Sequence, residues 1–221
     1  MSDEEFIALV KAGDAEGVAE ALAKSEGLAF AKDASGVPSL MTAIYFGHHT
    51  IAESIAAAKK GDLDVFEATL LGRCELVRTL VSKDKSSLEA FSGDGFTPLH
   101  YAAYFGQSEA ASALVEAGAS PAHLSRNAMK VSALHSALAA GHLDIARLLI
   151  ANGADVTQSS GDGWTPLHYA ADLGDAQIAR ELIARGAKGG APNADGETAE
   201  ELGRRVGHDH VSELIEMGAT A

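Results

Sequence analysis

Seven glycines recur along the chain at a nearly constant interval: Gly13, Gly47, Gly72, Gly106, Gly141, Gly174 and Gly207. Their separations are 34, 25, 34, 35, 33 and 33 residues. A period of this size describes a stack of small supersecondary units, none of which can bury its own apolar face alone. Such a stack has one continuous core however many units it holds. What it does is therefore a question about an exposed surface.

One stretch shows how a unit is built: Asp94-Gly95-Phe96-Thr97-Pro98-Leu99-His100-Tyr101-Ala102-Ala103-Tyr104-Phe105-Gly106. Thr97 is suited to cap a helix with its hydroxyl. Pro98 fits the first helical position, where no amide donor is needed. His100 falls at the third position, where its ring reaches back toward the cap. Gly106 ends the helix by adopting a left-handed conformation. A second helix is expected from about Ser108 to Ala117, with Ala111, Leu114 and Val115 on its apolar face. Helices this short are marginal alone in water, so neighbours on both sides must hold them.

The pattern returns at Asp162-Gly163-Trp164-Thr165-Pro166-Leu167-His168-Tyr169-Ala170-Ala171, followed by Gly174 and Gly186-Ala187. It returns again at Val131-Ser132-Ala133-Leu134-His135-Ser136-Ala137, followed by Gly141 and Gly153-Ala154-Asp155. These residues closely resemble the ankyrin repeat family. Three units match strongly, over about 94–187. The other four match in register and hydrophobicity only. The resemblance implies an all-α solenoid of about seven helix-turn-helix units. They are expected at about 1–32, 33–60, 61–91, 92–126, 127–158, 159–191 and 192–221, as a single domain.

The departures are specific. Pro38-Ser39 stand where Thr-Pro is usual, so the lead-in to that helix should differ. The first unit, Phe6 to Leu22, lacks the lead-in turn and looks like an N-terminal cap. The last carries Glu200, Glu201, Arg204 and Arg205 on its first helix and looks like a C-terminal cap. Only 25 residues separate Gly47 from Gly72. Lys59-Lys60-Gly61-Asp62 must then join two helices directly, with Asp62 as the expected N-cap of a helix starting near Leu63. No projecting turn, or finger, forms there, so a gap is expected in the row of fingers between units two and three. The next two connections run slightly long, around Lys83 to Phe91 and Ser120 to Lys130.

Charge and composition narrow the function. The net charge is −14, with −5 in residues 1–26 and −5 in residues 193–221. Acidic ends suit the polar caps that repeat arrays need for solubility, or attract a basic partner. The same acidity argues against binding a phosphate backbone. A lone cysteine, Cys74, excludes an internal disulfide and reads as a small buried hydrophobe. The N-terminus lacks the pattern of a secretory signal. No apolar run reaches the length of a membrane span. A soluble, cytoplasmic, monomeric protein is expected.

Nine histidines invite a metal or catalytic reading. His100, His135 and His168 hold the capping position, and His48, His142 and His208 each follow a helix-ending glycine. His208-Asp209-His210 offers too few ligands for a structural zinc site. No Gly-x-Ser-x-Gly, phosphate loop, His-Glu-x-x-His or Gly-x-Gly-x-x-Gly motif is present. No cofactor, metal or catalytic residue is expected.

The resemblance implies a protein or peptide partner, met by the finger tips and the exposed positions of the first helices. Between the tip glycine and the cap stand Val37, Phe96, Val131 and Trp164. Before the helix-ending glycine stand Tyr45-Phe46, Leu70-Leu71, Tyr104-Phe105, Ala139-Ala140 and Asp172-Leu173. Phe46, Leu71, Phe105 and Leu173 share one position and should be partly buried. Tyr45, Phe96, Tyr104 and Trp164 should be more exposed. The expected binding residues are Val37, Tyr45, Phe96, Tyr104, Phe105, Val131, Trp164 and Asp172, an aromatic-rich set of the kind that makes binding hot spots. Two other readings compete: a structural or inhibitory subunit of an obligate complex, and an enzyme with a cleft at the shortened connection, lined by His49, Asp62 and Asp64.

Overall fold

In a computed structural model of the protein, residues 1–219 are described. Residues 220–221, which end the last expected unit, lie outside the described residues. The helices follow one another in pairs: α1 (Asp3–Ala12) with α2 (Ala15–Lys24), α3 (Ser39–Tyr45) with α4 (His49–Ala58), α5 (Val65–Leu70) with α6 (Cys74–Lys83), and α7 (Pro98–Tyr104) with α8 (Ser108–Glu116). Then come α9 (Ala133–Ala139) with α10 (Leu143–Ala151), α11 (Pro166–Leu173) with α12 (Ala176–Ala184), and α13 (Ala199–Arg205) with α14 (Asp209–Ala219). The fold is all-α, an ankyrin-type solenoid.

Each first helix packs on the next, from α1 through α3, α5, α7, α9 and α11 to α13. Buried residues from successive pairs interleave, as Leu134, Leu138, Ile145 and Leu149 do with Leu167 and Ile178. The second helices form the other layer. There α2 packs on α4, and α6 through α14 pack in series, but the α4–α6 junction makes little contact. The apolar core divides at the same place. Leu63 and Leu70 pack with the first two pairs, while Val65 and Ala68 pack with those that follow.

The caps are local and sequence-encoded. Ser2 with Glu5, Asp64 with Glu67 and Thr198 with Glu201 each form a reciprocal box at a helix start. In α7, α9 and α11 a histidine ring takes the place of the carboxylate. Nδ1 of His100, His135 and His168 accepts the backbone N–H of Thr97, Ser132 and Thr165 at 3.3, 3.1 and 3.1 Å. Each Nε2 then donates into the next pair: His100 to the Val131 carbonyl at 2.9 Å, His135 to Gln158 at 3.1 Å, His168 to Glu197 at 3.1 Å. A carbonyl only accepts, so these rings are neutral with the proton on Nε2. Burial drives the His100 pKa down to about 4 and lowers those of His135 and His168. These side chains thus tie one pair to the next.

The remaining periodic histidines do a different job. The rings of His48, His142 and His208 lie over Gly13, Gly106 and Gly174, where an added β-carbon would meet ring atoms at 2.7, 2.6 and 2.8 Å. Gln107 covers Gly72 in the same way and donates to the Leu70 carbonyl at 2.8 Å. Where Arg73 or Asp175 stands instead, Gly47 and Gly141 have open space beside them.

Several expectations require correction. The cap of α5 is Asp64, which accepts the Glu67 N–H at 2.8 Å, and the helix begins at Val65. Asp62 does not serve, because Lys60 and Gly61 both adopt positive φ (53° and 91°) and carry the turn two residues further. Cys74 is half-exposed at the first turn of α6 instead of buried. Pro38 leaves α3 without a side-chain cap, and the Ser39 hydroxyl turns to the Ala29 carbonyl at 3.0 Å.

Candidate functional site

The fingers share one closed turn. In it Asp33 N–H donates to the Val37 carbonyl, Ser92 to Phe96, Ser125 to Val131, Ser160 to Trp164 and Asn193 to Glu197. The Ser125–Val131 finger is two residues longer than the others, and Lys130 within it takes a φ of 43°. Neighbouring fingers are laced by backbone bonds: Arg126 to Gly95 at 2.8 Å, Gly161 to Met129 at 2.7 Å, Ala194 to Asp162 at 2.8 Å.

The third pair has no finger, yet the row does not gape there. Gly93 approaches the second pair's finger closely enough that an added β-carbon would lie 4.0 Å from the Ser35 carbonyl oxygen. With no finger between them, the end of α3 meets the fourth pair directly. The Tyr45 hydroxyl donates to Asp94 at 2.5 Å and lies 2.8 Å from the Tyr101 hydroxyl. Tyr101 and Ser92 also donate to Asp94, each at 2.5 Å. The Tyr45 ring stacks on Phe105 with centroids 6.0 Å apart.

This junction forms one wall of a groove of about 350 Å³. Tyr45, Phe96, Tyr104 and Phe105 line it from one side; Met129, Val131, Ala139 and Tyr169 line it from the other. Tyr104 and Met129 are 54% and 57% exposed, high for large apolar side chains. Phe96 and Phe105 are half-buried, and Val131 is buried, so Val131 offers the groove a narrow strip of side chain and a carbonyl that His100 already uses. The longer finger explains both Val131 and Met129: its extra residues fold Val131 under and lift Met129 out.

Trp164 and Asp172 lie in a neighbouring groove of about 310 Å³, whose lining also includes Asp162, Tyr169 and Leu173. Tyr169 and Ala139 belong to both grooves, so the two adjoin. Trp164 is half-buried against Tyr169, with ring centroids 4.9 Å apart. Val37 stands apart from both, half-buried against the N-terminal core. Phe46 and Leu173, expected to be partly buried, are exposed, whereas Phe96 and Trp164 are less exposed than expected.

The groove's polar groups are chemically quiet. Burial would raise the Asp94 carboxyl, but the hydroxyls of Ser92, Tyr101 and Tyr45 outweigh it and hold the pKa below the usual carboxylate range. Burial and the bond to Asp94 push the Tyr45 and Tyr101 phenols up, and burial pushes Tyr169 up to about 12. These phenols stay neutral, and the two histidines in the lining keep their protons on Nε2. The lining offers shape and apolar area, with a few fixed donors and acceptors.

The rival catalytic reading needs His49, Asp62 and Asp64 together at the shortened connection, where Asp64 is the N-cap of α5. His49 opens α4, and Asp62 lies beyond its far end, past a helix about 15 Å long. What occupies the shortened connection is an ion pair. Lys59 Nζ lies 2.6 Å from Glu67 Oε1, with side chains only 7% and 1% exposed. The ammonium also sits 4.6 Å from the centre of the Phe30 ring. Burial raises the Glu67 pKa, with Lys59 acting in the opposite direction. Among the described residues no group of three or more His, Cys, Asp or Glu side chains is placed to hold a metal ion. His208 Nδ1 is held 2.9 Å from the Ala171 carbonyl, away from such a role. No helix among the described residues is long and apolar enough to cross a membrane.

Comparison with known proteins agrees with this architecture. A family profile described as "Ankyrin repeats (3 copies)" matches residues 55–160, and one described as "Ankyrin repeat" matches residues 162–196. The rat protein named "Ankyrin repeat and SAM domain-containing protein 6" is 33% identical over 106 residues, 46% of this chain and 11% of its own. The "Delta-latroinsectotoxin-Lt1a" of Latrodectus tredecimguttatus is 29% identical over 97 residues, 43% of this chain and 8% of its own. The chain spans about a tenth of the length of these relatives. On its stacked helix pairs, its Thr-Pro-Leu-His caps and the span of the matches, this chain belongs to the ankyrin repeat family.

Proposed function

We propose that the protein is a non-catalytic, monomeric binding module that takes a protein or peptide on the groove between the fingers and the first helices. Ankyrin repeats are in general protein–protein interaction modules, which sets the class. The observation that carries this reading is the aromatic and methionine lining of the two adjoining grooves, from Tyr45 through Tyr104 and Met129 to Trp164. Large apolar side chains left exposed beside a preformed hollow are what an interface core needs. The wall is held by Asp94 and its three hydroxyl donors, so little ordering cost remains on binding.

The test is affinity capture with the full chain, identification of the bound protein, and titration of the purified partner against variants. Tyr104→Ala and Met129→Ala together should weaken binding about tenfold or more, since truncating a central tyrosine anchor costs about 2 kcal/mol. Unchanged affinity would place the partner elsewhere.

A further inference from the structure

The two adjoining grooves differ in charge. The first is walled by rings and Met129, and its one carboxylate, Asp94, is already bonded to three hydroxyls. The second sets the tilted Trp164 and Tyr169 rings beside two exposed carboxylates, Asp162 and Asp172. Neither of these acids has an ion-pair partner among the described residues. Asp162 accepts one hydroxyl, that of Ser160 at 2.5 Å. The cation that Asp172 influences, Arg205, is already held by Glu197 at 2.7 and 2.9 Å.

Aromatic faces beside free carboxylates attract a cation twice, through the ring quadrupole and through the charge. An apolar side chain gains nothing there that it would not gain more fully in the first groove. Resting on the reading above, we infer that the occupant is an extended peptide segment with one basic residue seated between Trp164, Tyr169, Asp162 and Asp172, and one large apolar residue seated against Tyr104 and Met129. The spacing follows from the stack. Adjacent helices lie about 8–10 Å apart, and an extended chain advances about 3.3 Å per residue. The basic seat lies on the α11 pair and the apolar seat between α7 and the α9 finger, one to two such steps away, so the two residues stand about three to six positions apart in the segment.

Selection from a random peptide display library against the full chain tests this. Enriched peptides should carry Arg or Lys about three to six residues from Phe, Leu, Ile or Met. Their synthetic forms should bind the Asp162→Asn/Asp172→Asn variant about tenfold more weakly at low salt, with the difference shrinking at high salt as the charges are screened. Tyr104→Ala should weaken the same peptides with little dependence on salt. Both acids are exposed and Asn keeps the acceptor for Ser160, so the variant tests charge and not folding. Peptides without a basic residue, or with equal affinity for the double variant, would overturn the cation site while leaving the groove as a binding surface. Failure to enrich any peptide sensitive to Tyr104→Ala would overturn both.

Discussion

The Tyr45 hydroxyl and the Asp94 carboxylate lie 2.5 Å apart although 49 residues separate them in the chain. They belong to the second and fourth helix pairs, which a regular array would hold apart with an intervening finger. Removing that finger from the third pair turns a spacing irregularity into a contact, and the contact supplies one wall of the groove.

The shortened connection depends on its buried ion pair. Lys59→Met leaves Glu67 buried and unpaired, and should cost about 3–5 kcal/mol. Glu67→Gln leaves the ammonium unpaired and should cost a similar amount. The double variant Lys59→Met/Glu67→Gln should recover most of the loss, because it buries no unpaired charge and the amide oxygen still accepts the Asp64 N–H. Urea denaturation of the four proteins measures this.

Stability should fall on mild acidification through the three buried histidines. Their pKa values are depressed in the folded state, so between the folded and unfolded values the unfolded chain binds more protons and stability rises with pH. The His100 contribution is present above about pH 6.5 and is lost as pH falls toward about 4. From His100 alone the protein should be about 2 kcal/mol less stable at about pH 5 than at about pH 7. The pH dependence should be shallower in His100→Gln, where the amide can still cap α7 but does not titrate.

The rings over the glycines should be separable from those in the caps. Replacing Gly106 by Ala meets both a left-handed φ of 69° and the His142 ring, and should cost more than the same change at Gly141, where φ is 74° but the space is open. The strain alone is about 1 kcal/mol, and the difference between the two variants by thermal unfolding isolates the ring contact.

Tyr104→Ala and Met129→Ala should each change stability by no more than about 0.5 kcal/mol, since both side chains are more than half exposed. Chemical denaturation checks this, and it separates their effect on binding from any effect on folding.

The parts of the fold that could be read from the residues are those whose causes are local. A glycine that ends a helix and Thr-Pro-Leu-His at its start act within one turn, so the three strong units and the all-α stack were legible. The cap of α5 was displaced from Asp62 to Asp64 because Lys60 and Gly61 share the turn, a backbone choice that the spacing of residues does not record. Tyr104 and Phe105 could be placed near the groove by register alone. Asp94, Tyr101, Met129 and Tyr169 were missed as lining residues. For Tyr101 and Tyr169 there was a signal: both follow the capping histidine in otherwise identical stretches. For Tyr45 with Asp94, and for Lys59 with Glu67, none existed, because those contacts depend on how far two pairs close when a finger is missing.

A double-mutant cycle between Tyr45→Phe and Asp94→Ala, read by urea denaturation, tests that closure most directly. A hydrogen bond to a carboxylate at a partly exposed site should leave a coupling of about 1 kcal/mol between the two changes. Free energies that add to within about 0.3 kcal/mol would contradict it, and with it the wall from which the groove is built.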